Sequence, residues 1–294
     1  MKPTVGLIGL GLMGGPMGLN LLKAGFPLVV WNRTKSKAGE HVAAGATLAA
    51  DPRGVAEKAD VLITIVSDPP ALENVLFAPQ TGALAALRPG ATLIDSSTVS
   101  PDLARRVAAA CAACRVDFLD APVTGGTWGA KSGELVFMVG GKPEVLDRVK
   151  PVLEAMGKKF PLLGPNGAGQ TVKLGMNLLL ALEVDAFAEC LALVTGAGVP
   201  AEKLMEVFQA SMARSGVLDV KAPLMVKGEF PASFPLRLMH KDVRLALELA
   251  RERNIKLPCG EAAFATYSAV KSAADAARED PDFAAVSRWW KRSS

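Results

Sequence analysis

The stretch Val5-Gly-Leu-Ile-Gly-Leu-Gly-Leu-Met-Gly14 decides the fold of the amino-terminal half of this chain. An apolar run leads into the pattern Gly-x-Gly-x-x-Gly, a helical pattern follows, and a second apolar run ends at Asn32. This order of strand, glycine turn, helix and strand is typical of a dinucleotide-binding βαβ unit. The stretch therefore predicts a parallel sheet with a nucleotide cofactor at the turn.

Each glycine of the pattern has a separate physical task. Gly9 allows the tight turn, Gly11 lets the backbone approach a pyrophosphate, and Gly14 lets the helix pack closely on the strand. The pyrophosphate then lies at the helix N-terminus, where free N–H groups and the helix dipole favour an anion. We therefore place the cofactor phosphates against these glycines and against Leu12 and Met13. The alternative is a glycine-rich structural turn.

The end of the second apolar run indicates which dinucleotide binds. An Asp or Glu at this place accepts a hydrogen bond from the ribose 2′-hydroxyl and disfavours a 2′-phosphate. Here the chain has neutral Asn32, then Arg33, whose guanidinium suits phosphate, and then the hydroxyl of Thr34. The sequence therefore favours NADP(H) over NAD(H) as the cofactor bound through these three residues. The alternative is that Arg33 is an ordinary solvated arginine.

Composition limits the classes of protein to consider. The chain has 294 residues, 50% of them hydrophobic, so one or two domains with a sizeable core are expected. The net charge is +4 without a basic block, which argues against nucleic acid as a partner. Cys111 and Cys114 lie in an alanine-rich helical stretch, so we expect reduced packing residues and no metal site. Without a signal-peptide pattern or a membrane span, a cytoplasmic protein is expected.

Strand and helix patterns alternate up to Gly164, and only helical patterns follow. Buried strands are predicted at 61–66, 91–95, 117–122 and 135–139. A long buried helix is predicted to start near 165, and later helices are predicted at 201–212, 240–253, 261–274 and 283–290. We therefore predict an α/β Rossmann domain over 1–164 with a mostly parallel, doubly wound sheet, and an all-α domain over 165–294 that a long helix joins to it.

Three loops at strand ends carry polar groups where a ligand is expected. Ligands of open α/β sheets bind outside the carboxyl ends of the strands. The loops contain, in chain order, Val66 and Ser67, then Ser97 and Thr98, then Thr124, Gly125 and Gly126. We assign the first loop to the cofactor, whereas the hydroxyls of the second and the glycine amides of the third can hold a small carboxylate. Ordinary turn chemistry is the alternative.

The long helix carries the sharpest chemical signal. Gln170, Lys173 and Asn177 are spaced i, i+3 and i+7, so they share one face of an otherwise apolar helix. Desolvation lowers the pKa of a buried lysine toward a value useful for proton transfer. The pattern therefore favours Lys173 as a general acid–base residue with an amide nearby to orient a substrate oxygen. The alternative is that Lys173 extends to solvent near the helix start.

The two histidines give little support for a histidine-based dehydrogenase mechanism. His41 falls in a polar helical segment and is expected at the surface. His240 precedes Lys241 and Asp242, which are expected to head a helix after a proline-rich loop. A capping turn is the alternative to a functional role for this pair.

Taken together, the motifs resemble the β-hydroxyacid dehydrogenase family. That family includes 3-hydroxyisobutyrate dehydrogenases, tartronate semialdehyde reductases and glyoxylate/succinic semialdehyde reductases. The similarity extends over essentially the whole chain, and the segments that resemble family motifs are 7–21, 95–98, 120–126, 167–177 and 241–242.

The resemblance implies a role for each matching residue. Lys173 is implied as the catalytic acid–base residue, and Asn177 as a residue that holds the substrate or the lysine. The residues implied to contact the substrate carboxylate are Ser97, Thr124, Gly125 and Gly126. Thr98 and Lys241 are implied to contact the nicotinamide side of the cofactor. The resemblance also implies a cleft between the domains and a homodimer or homotetramer built through the helical domain.

Subfamily signals in the chain conflict. Segment 32–34 resembles NADPH-dependent glyoxylate/succinic semialdehyde reductases, whereas segment 124–134, with Trp128, resembles the hydroxyisobutyrate and tartronate semialdehyde enzymes. The expected function is hydride transfer between NADP(H) and a small β-hydroxyacid, a semialdehyde or glyoxylate. The alternatives are an NAD-dependent 3-hydroxyisobutyrate dehydrogenase, an imine reductase, and a non-catalytic NADP-binding module. Lys173 argues against the last two.

Overall fold

The computed structural model describes residues 2–290, and contacts within the chain divide it into two compact units between Lys173 and Leu174. The predicted domain boundary, after residue 164, falls before this division. The division lies inside a long helix because hydrogen bonds tie the first turn of that helix to the first unit.

The first unit contains two sheets. Their strands are β1 (Val5–Ile8), β2 (Leu28–Trp31), β3 (Thr47–Leu48), β4 (Val61–Thr64), β5 (Thr92–Asp95), β6 (Asp117–Asp120), β7 (Val123–Thr124), β8 (Leu135–Phe137), β9 (Val139–Gly140), β10 (Gly157–Lys159) and β11 (Leu162–Gly164). The larger sheet has the order β11-β9-β6-β5-β4-β1-β2-β3, and the smaller has β10-β8-β7. Neighbours in the larger sheet are parallel, apart from β6 and β9. The predicted Rossmann-type, mostly parallel sheet is confirmed.

The order of the strands locates the ligand edge of the larger sheet. The chain runs outward from β1 through β2 to β3 on one side and from β4 through β5 to β6 on the other. Such a reversal opens a crevice at the carboxyl ends of the two strands that flank it. The glycine turn after β1 and the loop after β4 therefore lie at the edge where ligands of such sheets bind.

Helices cover both faces of the larger sheet. The helices of this unit that precede the long helix are α1 (Gly14–Lys23), α2 (Gly39–Ala43), α3 (Pro52–Ala56), α4 (Pro69–Phe77), α5 (Pro101–Ala113), α6 (Gly126–Ser132) and α7 (Pro143–Glu154). Along β1, Leu7 packs into the hydrophobic cluster of α1 and α7, and Ile8 into that of α3, α4 and α5. Successive side chains of a strand point to opposite faces, so burial on both faces makes the central strands continuous apolar runs.

Two predictions for this unit are wrong. The strand predicted over 135–139 is split between the two sheets, because the chain changes sheet at Met138, whose N–H donates to Pro122 O at 2.9 Å. The predicted surface residue His41 is buried, and its Nε2 lies 2.8 Å from Gly15 O. The imidazole fits there because it packs against Gly18 of α1, which has no side chain.

The described part of the second unit, residues 174–290, is all-α, as predicted. The long helix α8 (Ala168–Gly196) enters it from the first unit, and the helices that follow are α9 (Ala201–Ala210), α10 (Gly216–Lys227), α11 (Leu236–Glu252), α12 (Pro258–Ala276) and a 3₁₀ segment (Phe283–Trp290). Between residues 2 and 290, no helix combines the length and the apolar character that crossing a bilayer requires.

The structure corrects three expectations about these helices. Helix α10 was not predicted, because Pro223 in its interior is typical of a helix break. Helix α11 begins at Leu236, so Lys241 and Asp242 lie inside it and do not cap its start. Helix α8 is buried on one face only, because Leu193 on its other side is 74% exposed.

A buried ion pair fixes the loop that precedes α11. Lys221 Nζ lies 2.7 Å from Asp282 Oδ2, and both side chains are almost completely buried. The same oxygen accepts hydrogen bonds from the N–H groups of Ser233 and Phe234, and Oδ1 accepts one from Ala284 N–H. One carboxylate therefore joins α10, the loop before α11 and the 3₁₀ segment.

We expect Asp282→Ala to lower the free energy of unfolding by about 3–5 kcal/mol, because it leaves the Lys221 ammonium buried without its counter-charge. The matched control is Asp280→Ala, which removes an exposed ion pair with Arg237 and should cost at most about 1 kcal/mol. Urea titration measures both changes. Equal losses in the two variants would contradict this role of the buried pair.

Candidate active site

The turn between β1 and α1 has the shape of a pyrophosphate cradle. Gly9 has φ of +107°, and a Cβ added there would lie 2.1 Å from Ile65 O. A Cβ added at Gly14 would lie 2.0 Å from Gly9 O. At Gly11, by contrast, an added Cβ would meet no atom within 4 Å among the described residues, so its backbone borders open space. Two glycines are therefore needed for the turn, and the third keeps the approach to it open.

The start of α1 can receive an anion. Among the described residues, no side chain caps this helix and no acidic residue lies in its first turn. Leu12, just before the helix, is 49% exposed. Free N–H groups and the positive end of the helix dipole therefore lie at the glycine turn. These residues fit the pyrophosphate of a dinucleotide.

The residues predicted to select the cofactor divide into one structural and two exposed positions. Asn32 Oδ1 accepts a hydrogen bond from Leu10 N–H, and Asn32 Nδ2 donates to Thr34 O, both at 2.9 Å. The amide of Asn32 thus holds the glycine turn and the end of β2 together. Arg33 and Thr34 are exposed, so their side chains are accessible to a phosphate.

Three polar side chains form a row across the carboxyl ends of β4, β5 and β6. Thr64, Asp95 and Asp120 pair in register on these neighbouring strands, and all three are fully buried. Thr64 Oγ1 donates to Asp95 Oδ1 at 2.8 Å, and Ser97 N–H donates to the same oxygen at 3.1 Å. The apolar interior of the sheet therefore ends in a polar layer under the predicted ligand loops.

Burial changes the acidity of both carboxyl groups in this row. It raises the pKa of Asp95 to about 6, against hydrogen bonds from Ser97 and Thr64 that lower it, and the charge of Asp120 adds to the rise. Asp95 Oδ2 has no hydrogen-bond partner within residues 2–290. Burial also raises the pKa of Asp120, opposed by its hydrogen bonds to the backbone of Gly167 and Gln170.

Asp120 binds the start of α8. Its Oδ1 accepts from Gly167 N–H at 2.8 Å, and its Oδ2 accepts from Gln170 N–H at 3.1 Å. A carboxylate at this place satisfies backbone donors and interacts favourably with the helix dipole. A Cβ added at Gly169 would lie 2.2 Å from Met138 O, so only glycine lets the helix come this close to the sheet.

Gln170 connects α8 to the loop after β5. Its Oε1 accepts from Val99 N–H at 3.0 Å, and its Nε2 donates to Ser97 O at 2.8 Å. Ser97 Oγ in turn accepts from Val66 N–H at 2.9 Å. The loops after β4 and β5 and the first turn of α8 therefore form one hydrogen-bonded group.

Lys173 lies one turn after Gln170 on α8 and is only 9% exposed. A lysine that is buried to this extent needs polar partners for its ammonium group. Its helix is held at the start by Asp120, so its backbone is fixed relative to the strand ends.

In the second unit, Asp242 joins two predicted site residues. Asn177 Nδ2 donates to Asp242 Oδ2 at 2.6 Å, and Lys241 Nζ lies 2.9 Å from Asp242 Oδ1. Asn177 and Asp242 are buried. Because a carboxylate only accepts hydrogen bonds, this contact fixes which end of the Asn177 amide faces α11.

The third predicted loop leads from β7 into α6. Gly125 and Gly126 have φ of +122° and +61°, a conformation that favours glycine, and both are exposed. Thr124 is half-buried, and Trp128 in the first turn of α6 is 70% exposed. In the first loop, Ser67 Oγ donates to Asp68 Oδ2 at 2.7 Å.

The sequence patterns assign no role of their own to Asp95 and Asp120, and they place Gln170 only on the face of the long helix that carries Lys173. The available signal was an acidic residue at the end of two apolar strands and a glutamine one turn before Lys173. Their partners lie far away in the sequence, so only the folded chain shows what they bind.

Comparison with known proteins gives matches along nearly the whole chain. Residues 4–164 match a family model described as the NAD binding domain of 6-phosphogluconate dehydrogenase. Residues 167–290 match one described as NAD-binding of NADP-dependent 3-hydroxyisobutyrate dehydrogenase.

Individual proteins show the same similarity. The chain is 40% identical over 272 residues to the NAD-dependent L-serine dehydrogenase of Pseudomonas aeruginosa, with 90% of each chain covered. It is 38% identical over 254 residues to the 2-hydroxy-3-oxopropionate reductase of Escherichia coli, with 86% of each covered. The solved structure of the Mycobacterium tuberculosis 3-hydroxyisobutyrate dehydrogenase with L-serine matches at a TM-score of 0.87 and 33% identity, covering 99% of this chain and 100% of that one.

We expect Asp95→Asn to change how stability depends on pH. Folding raises the pKa of Asp95 from 3.8 to about 6, so its contribution to stability is complete below the lower value and is lost as pH rises through the higher one. At 1.36 kcal/mol per pKa unit, the loss is about 3 kcal/mol. The asparagine cannot titrate, so between about pH 4 and pH 7 the unfolding free energy of the wild type should fall by this amount relative to the variant. Urea titrations that give a constant difference would disprove the raised pKa.

Proposed function

The chain belongs to the β-hydroxyacid dehydrogenase family, and on that basis we propose that it transfers a hydride between NADP(H) and a small semialdehyde or β-hydroxy acid, or glyoxylate. The observation that carries the proposal is Lys173, a nearly buried lysine on a helix that Asp120 and Gln170 fix to the carboxyl ends of the strands. Members of this family are NAD(P)-dependent oxidoreductases that act on the CH–OH groups of hydroxy acids.

The first unit holds the cofactor in this proposal. The turn at Gly9, Gly11 and Gly14 receives the pyrophosphate at the start of α1, with Leu12 and Met13 beside it. The guanidinium of Arg33 and the hydroxyl of Thr34 bind the 2′-phosphate, while Asn32 holds the turn that carries them. We also assign Val66, Ser67 and Thr98 of this unit to the cofactor, together with Lys241, which belongs to the second unit. A bound nicotinamide dinucleotide supplies the hydride in reduction and accepts it in oxidation.

The substrate carboxylate binds to neutral donors in this proposal. The N–H groups of Gly125 and Gly126 form an anion-binding nest, and the side chains of Ser97 and Thr124 add hydroxyl groups. Such donors hold a small carboxylate and leave its carbonyl or carbinol carbon free to react. Asn177 orients the substrate oxygen or the ammonium of Lys173.

Lys173 moves the proton in both directions. In reduction, its ammonium donates a proton to the carbonyl oxygen as the hydride reaches the carbon, so that the product is a neutral alcohol. In oxidation, the neutral amine removes the hydroxyl proton while the hydride leaves the same carbon. General acid–base help of this kind contributes roughly 10²–10⁴-fold to the rate.

Cofactor choice distinguishes the proposal from its main alternative. The 40% identity to an enzyme named NAD-dependent L-serine dehydrogenase favours NAD-dependent oxidation of a β-hydroxy acid as the second candidate function. Arg33 is exposed two residues after the end of β2, no acidic residue stands at that strand end, and this supports NADP(H).

The exposed apolar residues of α8 support a homo-oligomer. Met176 is 41% exposed, Leu179 47% and Leu193 74%, and all three lie on one helix. Large exposed apolar side chains grouped in this way are typical of protein–protein interfaces. We therefore assign this face to the interface of a homodimer or homotetramer, which sedimentation velocity distinguishes from a monomer.

The proposal is tested by the rate of cofactor oxidation or reduction with a panel of substrates. The aldehydes are glyoxylate, succinic semialdehyde, tartronate semialdehyde and methylmalonate semialdehyde with NADPH or NADH, and L-serine is offered with NADP⁺ or NAD⁺. We expect the highest kcat/KM with NADPH and one of the four aldehydes. Higher values with NAD⁺ and L-serine would establish the alternative, and negligible rates throughout would contradict both.

We expect Lys173→Ala to lower kcat by roughly 10²–10⁴-fold, because the reacting oxygen loses its proton donor. The Kd of NADPH, measured by fluorescence titration, should stay close to that of the wild type. Lys150→Ala is the matched control, since Lys150 is exposed on α7. Turnover retained in the Lys173 variant would disprove the assignment of the acid–base residue.

A further inference from the structure

The hydrogen bonds of Gln170 do more than anchor a helix end. We propose that Gln170 is a positioning residue whose side-chain amide locks the segment Ser97–Val99 to the turn of α8 that carries Lys173. This inference rests on the proposed function. In it, the hydrogen bonds of the Gln170 amide, which we call the lock, set the distance between the acid–base residue and the residues that hold the substrate and the nicotinamide.

The contacts of Gln170 surround Thr98. Oε1 of Gln170 accepts from Val99 N–H at 3.0 Å, and Nε2 donates to Ser97 O at 2.8 Å. The side chain is fully buried. One amide therefore binds the backbone immediately before and immediately after Thr98, which leaves the threonine on a short segment that is held at both ends.

Each of these two bonds has a fixed direction. A backbone N–H only donates and a backbone carbonyl only accepts, so the amide oxygen must face Val99 and the amide nitrogen must face Ser97. A hydrocarbon side chain provides neither bond, and a carboxylate provides only acceptors. Among side chains of this length, an amide or a protonated carboxylic acid satisfies both partners.

The lock extends from Gln170 in both directions. Its backbone N–H donates to Asp120 Oδ2 at 3.1 Å, and Lys173 follows one turn later on the same face of α8. On the other side, Ser97 Oγ accepts from Val66 N–H at 2.9 Å. The backbone of Lys173 and the loops after β4 and β5 therefore cannot shift independently. If the side-chain amide of Gln170 lost its hydrogen bonds, the reacting groups would be misplaced.

Gln170→Glu tests the lock because it keeps the shape of the side chain and makes its hydrogen bonding depend on pH. When protonated, the introduced carboxyl donates to Ser97 O and accepts from Val99 N–H. When ionised, it presents an acceptor to the Ser97 carbonyl oxygen and loses that bond. The activity of the variant relative to the wild type should therefore fall as pH rises.

The charged groups around position 170 determine the pH at which the activity of the variant falls, but they do not change the direction of this effect. Asp120 on β6 and Asp95 on β5 disfavour a further negative charge, as does burial. Lys173 on α8 favours it, as does Arg105 on α5, whose guanidinium lies near Gly167. Above the pKa of the introduced carboxyl, the protonated fraction falls about tenfold per pH unit.

The experiment measures kcat/KM and the Kd of NADPH for each protein between about pH 5 and pH 9, with urea midpoints to confirm that each is folded. We expect the kcat/KM of Gln170→Glu, divided by that of the wild type, to fall as pH rises. It should approach the level of Gln170→Leu, which lacks both hydrogen bonds at every pH. Gln209→Glu is the matched control, since Gln209 is exposed on α9, and its ratio should be constant.

Two results would overturn the inference. One is a pH-independent ratio for Gln170→Glu, and the other is wild-type kcat in folded Gln170→Leu. Failure of the proposed function looks different, because the wild type itself would then turn over no substrate. In that event the Kd of NADPH is the readout that tests the lock. Release of Thr98 should weaken cofactor binding by Gln170→Glu as pH rises. A ratio of the variant's Kd to that of the wild type that does not change with pH would refute the lock.

Discussion

The site depends on one buried contact, the binding of the first turn of α8 by the Asp120 carboxylate. It accepts hydrogen bonds from Gly167 and Gln170 N–H groups at the end of a central strand. Gly169 permits this approach because any side chain there would collide with the sheet. The contact places the helix dipole against a negative charge and fixes the direction in which the helix leaves the sheet. The location of Lys173 follows from that direction.

In the first unit, the residues that stabilise the fold are separate from those to which we assign a function. Its strands bury apolar side chains on both faces, and the polar residues Thr64, Asp95 and Asp120 lie at the carboxyl ends of three neighbouring strands. Burying carboxyl groups is unfavourable, as the raised pKa of Asp95 shows. These groups nevertheless hold the helix start and the loop after β5, where we propose that a ligand binds. The unfavourable free energy of burying carboxyl groups at the carboxyl ends of the strands is therefore offset by the apolar layers on both faces of the sheet, which stabilise the fold.

Local patterns in the sequence were sufficient to predict the sheet, the glycine turn and the lysine on a long helix. Each of these features is encoded by a short motif, such as the glycine pattern that begins at Gly9 or the helical spacing of polar residues around Lys173. The burial of His41, the division of the strand at Met138 and the contacts of Gln170 could not be predicted, because each depends on a partner from another part of the chain. Hydrophobic periodicity locates an element, but it does not identify the residue that a polar side chain will meet.

A double-mutant cycle between Asp120→Asn and Lys173→Ala tests most directly whether the buried carboxylate acts through the lysine. Asparagine keeps one acceptor and turns an N–H group toward a backbone donor, so it should disturb the start of α8. The measured quantity is kcat with the aldehyde that the wild type reduces fastest. The account predicts that Asp120→Asn lowers kcat by about tenfold or more in the wild type and has little effect when Lys173 is already alanine. The same fold-loss in both backgrounds would contradict it.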